Sequence, residues 1–307
     1  NCAAVSLFVW KSLPVGTTPR FYGKKIRQIG KFAVGVGAVN VLGFLLANVD
    51  KIVLSGVLSL KHYGYYTLAW TLSAAMFRLA IPITSGFFPR ISQLVQQKRE
   101  AELADAYHLS AQLIAAVVVP PSLFLIFFAF EVVSAFTRDI ELAAEIRWPV
   151  ALLSAGCLFN CLMRQPYDLQ LAFGWTRPAL ITNVIALFCA APATYFLAVN
   201  FGLTGAAAAW PLLNLWFVVV TPSFMHRRLL PDAGARWYTE ALLVPILISS
   251  GAYAISRGWL DFKTPPSATE LLAIVVCLTS AAGATAIAMP KTRRLIKSAA
   301  AGCLNKT

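Results

Sequence analysis

Several windows of about 20 residues in this chain carry almost no charge, and that feature limits the fold more than any other. Each window is long enough to cross a ~30 Å hydrocarbon core as a helix. Membrane β-strands are shorter and alternate apolar with polar residues, and these runs do not alternate. Apolar residue types make up 58% of the chain and charged ones only 13%, where soluble domains carry roughly 25% charge. The reading is an all-α polytopic membrane protein.

Eight spans are predicted: Phe32–Leu58, Tyr65–Phe88, Leu109–Phe136, Trp148–Phe173, Ala179–Phe201, Gly205–Met225, Ala241–Ile255 extending toward Leu260, and Leu271–Met289. Short connections with turn residues, such as Gly174–Pro178 and Asn200–Gly205, separate neighbours. Ile91–Tyr107 is set apart. Ile91, Leu94, Val95, Leu103 and Tyr107 recur near helical spacing with polar residues between them, which predicts a separate amphipathic helix on the cytoplasmic surface. The opening apolar run Ala3–Trp10 is too short to span, so residues 1–10 are expected to end a helix begun upstream.

The net charge of +13 does not point to nucleic acid, because the charges sit between the apolar runs rather than on one face or in one tail. Lys11–Lys31 holds six basic residues and no acid, which places it in the cytoplasm. Alternation then assigns 18 Lys and Arg to inside loops and 5 to outside ones. The bias predicts an even number of spans and a cytoplasmic C-terminus.

No catalytic constellation is present. His62, His108 and His226 are far apart, and no phosphate-binding glycine loop occurs. The chain is therefore not expected to be an enzyme, and no metal or cofactor is expected. The scattered cysteines read as small apolar residues in lipid. The informative residues are charges inside spans, which are costly unless they face water or a partner. Arg78 lies 13 residues into its span, roughly 20 Å along it, with no acid at i±3 or i±4. Asp50 and Lys51 lie deep in the first span. Asn40 shares a helix face with Lys51 at a spacing of 11 residues. Arg164 and Asp168, with Tyr167 beside them, stand four apart and can pair along their own helix. Arg78, Lys51, Asn40 and Arg164 are candidate cavity residues for an anionic cargo, since the guanidinium fork suits phosphate. Asp50 and Asp168 are candidate ion-coupling residues.

The runs Asn48–Ser55, Gly64–Trp70 and Phe88–Leu94 resemble bacterial polysaccharide and O-antigen flippases, the lipid-linked oligosaccharide branch of the multidrug/oligosaccharidyl-lipid/polysaccharide exporter superfamily. The resemblance implies two six-helix lobes around a central cavity, with this chain as the C-terminal portion. Residues 11–31 would then join the lobes, 32–225 would form the second lobe, and 226–307 would add two helices and a basic cytoplasmic tail. The first lobe would lie upstream. The implied cargo is an undecaprenyl-diphosphate-linked oligosaccharide, moved across the bacterial inner membrane by alternating access for polysaccharide or lipopolysaccharide synthesis, with membrane lipids as the other partners. Two rival readings stand beside it. A cation or drug antiporter of the same superfamily needs acidic cavity residues, and Asp50 and Asp168 each have a basic neighbour. A membrane-embedded glycan polymerase or ligase carries large outer loops, and the longest here is about a dozen residues.

Overall fold

A computed structural model describes residues 23–231, 233–259 and 268–304. The expected upstream helix end at residues 1–10 and the first part of the basic linker lie outside the described residues. Among those described, every regular element is helical.

The linker, expected to reach Lys31, instead becomes helix at Gly23: α1 runs Gly23–Leu46. Lys and Arg are good helix formers, and nothing between Gly23 and Lys31 interrupts the pattern. The first predicted span is broken at Ala47–Asn48, after which α2 covers Val49–Val57. Two side chains take up carbonyls at the break. Asn48 Nδ2 donates to the Phe44 carbonyl at 2.8 Å and Lys51 Nζ to the Ala47 carbonyl at 3.0 Å.

Helix α3, Leu60–Gln96, starts on Ser59, whose hydroxyl accepts the His62 N–H. Its 37 residues give about 55 Å, far more than the hydrocarbon core. The chain turns at Gln97–Arg99, with Lys98 at φ 55°, into α4, Glu100–Phe127. Ile91–Tyr107 is therefore not a separate helix. Its first half ends α3 and its second half begins α4. The apolar spacing was real, but it serves packing within the protein: Ile91, Leu94, Leu103 and Tyr107 are all buried. Arg90 and Arg99 bind Glu102 across the turn.

The third predicted span is kinked at Phe128 between α4 and α5, Ala129–Thr137. Helix α6, Ile140–Ala172, is capped by Asp139, which accepts the Leu142 N–H at 3.0 Å. Helix α7, Thr176–Leu229, covers 54 residues but is interrupted at Gly202, which has φ 58° and ψ −141°. At about 81 Å it is too long for one crossing. Gly202 reverses the chain and divides it into spans 176–201 and 203–229. The fold-back is tight enough that a Cβ on Gly205 would lie 2.1 Å from the Leu197 carbonyl oxygen.

A short α8, Ala233–Trp237, leads through a π-helical turn, Tyr238–Leu243, into α9, Val244–Trp259. Helices α10, Ala268–Ala288, and α11, Pro290–Leu304, follow. Helices α9 and α10 pack on α4. Tyr253 donates to the Pro120 carbonyl at 3.0 Å, and Arg257 meets Glu131 at 2.5 Å. Gln112 of α4 donates to Glu240 and accepts the Lys291 N–H at 2.8 Å, tying the start of α11 to the same helix.

Among the described residues, six helices are long and apolar enough to cross a membrane, and Val276–Ala288 is a shorter apolar one. The fold-back at Gly202 gives α7 two apolar segments, 176–201 and 203–229. The protein is a polytopic all-α membrane protein.

Candidate functional site

Helices α1, α3, α6 and α7 line a half-open cavity of about 510 Å³. Small residues open it: Gly43 and Ala47 on the α1 side, Ala80 on α3 and Ala179 on α7 line it without filling it. Between them project large side chains, Trp70, Phe77, Tyr167, Trp210 and Phe217, and a set of polar ones. Trp70 and Trp210 meet edge to face, 5.2 Å apart at 74°, the arrangement that ring quadrupoles favour.

Of the residues expected to line a cavity, Arg164 and Asn40 do so. Arg164 is the one charged residue among the described lining. Its Nε is buried without a hydrogen-bond partner. The local pairing open to Arg164 and Asp168 does not form: no ion pair joins them, and Asp168, 8% exposed, lies outside the lining.

Lys51 stands one layer back. Its ammonium sits 3.8 Å from the centre of the Trp70 ring and 3.4 Å from Asp50 Oδ1. Asp50 is buried, and the Tyr66 hydroxyl donates to its Oδ2 at 2.5 Å. The predicted common face of Asn40 and Lys51 is lost, because the break at Ala47–Asn48 resets the helical register between them. The Asp50 cluster supports Trp70 from behind. Asp50→Ala would leave the buried Tyr66 hydroxyl without an acceptor and is expected to cost about 1–3 kcal/mol. Asp50→Asn keeps an acceptor for Tyr66 and should cost less. Thermal unfolding of the two variants in detergent separates these outcomes.

Arg78 is exposed and outside the lining. Phe77 and Ile81 reach the cavity, and they stand about 100° and about 60° round the helix from Arg78 on the same side of it. Arg78 therefore lies on the adjacent face of α3, together with exposed Thr71, Ala75, Pro82, Ser85 and Gly86. It makes no hydrogen bond or ion pair among the described residues.

Of the neutral polar lining residues, the sequence reading found Asn40 and missed the rest. Asn160 Nδ2 donates to Asn214 Oδ1 at 2.8 Å, and Asn214 Nδ2 to the Trp210 carbonyl at 2.9 Å. This chain of amides fixes α6 against α7. Asn183, Thr182, Gln170 and Thr221 complete the polar lining. A search for Asn and Gln inside apolar runs, not only for charge, would have found most of them.

No curated protein and no solved structure matches the chain. Residues 2–138 match the family described as polysaccharide biosynthesis protein. The matched stretch contains α1 to α5, hence two of the four cavity helices and all three runs that carry the resemblance to flippases. The match stops at residue 138 and so covers somewhat less than half of the chain.

Proposed function

We propose that this chain is part of a flippase that moves an undecaprenyl-diphosphate-linked oligosaccharide across the bacterial inner membrane, supplying polysaccharide or lipopolysaccharide synthesis. It makes and breaks no covalent bond. It works by alternating access, with residues 32–225 as one lobe facing another of similar build, and with its C-terminus in the cytoplasm.

The observation that carries this reading is the outer face of α3. Exposed faces of α7 are what lipid requires: Ile181, Ile185, Phe188, Phe196 and Val199. The face of α3 around Arg78 carries one such residue, Ile81, beside Thr71, Ala75, Pro82, Ser85 and Gly86. An arginine near mid-span facing lipid would cost roughly 2.5–3.5 kcal/mol. A water-filled path between lobes removes that cost, and a diphosphate passing through it gives the guanidinium a bidentate partner. The membrane fold and the family match support the same reading. A cation antiporter is less well served, since Asp50 is already held by Tyr66 and Lys51.

The test is reconstitution of the full-length protein in liposomes with a fluorescent undecaprenyl-diphosphate-linked saccharide in both leaflets. Chemical quenching from outside should reach about half the label in protein-free vesicles and most of it when the flippase is present. Equal quenching in both preparations would refute the assignment.

A further inference from the structure

We infer that the cavity between α1, α3, α6 and α7 is a saccharide subsite that takes a sugar unit of the cargo inside the helix bundle, apart from the Arg78 face. The inference rests on the flippase reading for the identity of the cargo, and on the cavity itself for the chemistry.

Besides Trp210 Nε1, three buried polar atoms of lining residues have no hydrogen-bond partner among the described residues: Arg164 Nε, Gln170 Oε1 and Thr221 Oγ1. A buried polar group left unmade costs about 1–3 kcal/mol, so three around one cavity mark a place where something polar belongs. They need opposite things. Arg164 Nε–H must donate and Gln170 Oε1 must accept, while a hydroxyl such as that of Thr221 does both. A fully ionised diphosphate offers only acceptors and leaves Gln170 unsatisfied. A lipid tail satisfies none of them. Sugar hydroxyls donate and accept, and so answer all three.

The rest of the lining agrees. The Asn40 and Asn183 side chains reach the cavity and are unbonded among the described residues. The Asn160 amide nitrogen is committed to Asn214, which leaves the Asn160 carbonyl oxygen for a ligand. Side-chain amides present a donor and an acceptor side by side, the pattern that adjacent hydroxyls match. The aromatic residues Trp70, Trp210 and Tyr167 supply flat apolar surface for the C–H face of a pyranose, whose hydrogens meet the negative ring face. A volume of about 510 Å³ lies within the ~300–1,000 Å³ of ordinary ligand sites. One cation among amides and rings fits a neutral or singly anionic sugar better than a polyanion.

The chain in lipid nanodiscs is titrated with N-acetylglucosamine, with glucuronate and with inorganic pyrophosphate, reading tryptophan emission from Trp70 and Trp210. Both sugars should saturate at about millimolar concentration, as expected for so small a ligand, and pyrophosphate should not displace them. Asn183→Leu and Arg164→Met each remove a group with no hydrogen bond or ion pair among the described residues, so both should retain the wild-type unfolding temperature. Each should weaken sugar binding roughly tenfold. A linear, unsaturated response to both sugars, displacement by pyrophosphate, or wild-type affinity in both variants would overturn the subsite. The liposome assay separates the two ideas. Sugar binding without lipid translocation refutes the flippase and leaves the subsite standing, and translocation without sugar binding does the reverse.

Discussion

Replacing Arg78 with alanine in the full-length protein is expected to lower surface-glycan export roughly tenfold to a hundredfold, the equivalent of losing about 1.5–3 kcal/mol of charge-assisted hydrogen bonding. The amount of protein in the membrane should not change. Arg78 is exposed and makes no hydrogen bond or ion pair among the described residues, so its removal takes nothing from the packing of α3. That separates it from most charged residues at this depth, whose loss would leave a partner stranded. Arg78→Lys should recover part of the activity, because the charge stays and the planar fork does not. Normal export by the alanine variant at matched expression would remove the central support for the proposed function. So would a full-length structure in which this face of α3 is covered by lipid.

The all-α membrane-spanning character was legible because a bilayer imposes a minimum length on every span, and uncharged runs record it directly. Turn residues were legible where backbone geometry leaves little choice. Gly174 and Gly202 both adopt positive φ, and both fall in connections read from the sequence. What failed had a common cause. Apolar periodicity shows that one side of a helix is covered, and it is silent about what covers it. Ile91, Leu94, Leu103 and Tyr107 have the spacing of a membrane-surface helix, yet they are buried within the protein at the α3–α4 turn. The breaks at Ala47–Asn48 and Phe128 were also illegible, since no glycine or proline occupies either place. The first of them cost the predicted alignment of Asn40 with Lys51, which depended on eleven uninterrupted helical residues.

The cavity was legible only through Arg164 and Asn40. Arg164 was found because a guanidinium in a span demands an explanation. Asn160, Asn183 and Asn214 each demand one too, at lower cost, and were hidden by being neutral. Their pairing depends on α6 meeting α7, residues 54 apart in sequence for the Asn160–Asn214 bond, and no local pattern announces such a contact. The same reasoning explains Trp70. A tryptophan in an apolar run reads as bulk, and its place between the cavity and the Lys51–Asp50 pair exists only after folding.

Gly156→Ala is expected to be among the most damaging single methyl groups that can be added to this protein. Gly156 faces α7 from the middle of α6. An added Cβ would lie 2.2 Å from Trp210 Cδ1 and 2.9 Å from the Pro211 backbone nitrogen. The first obstacle is a rigid ring and the second is main chain, so no flexible side chain can give way. Either the helices separate or Trp210 leaves its rotamer, at a cost of about 3 kcal/mol. Gain in helix propensity returns only about 1 kcal/mol. Because Trp210 lines the cavity and its carbonyl anchors Asn214, the same change should also weaken sugar binding. Gly86→Ala provides the control. It is another glycine within a helix, with nothing within 4 Å of its added Cβ, and there the propensity gain acts alone. Thermal unfolding in one detergent should place the Gly156 variant well below wild type and the Gly86 variant level with it or above. Wild-type stability in the Gly156 variant would mean that α6 and α7 are not as closely apposed at Trp210 as the structure has them, and the wall of the cavity would have to be redrawn.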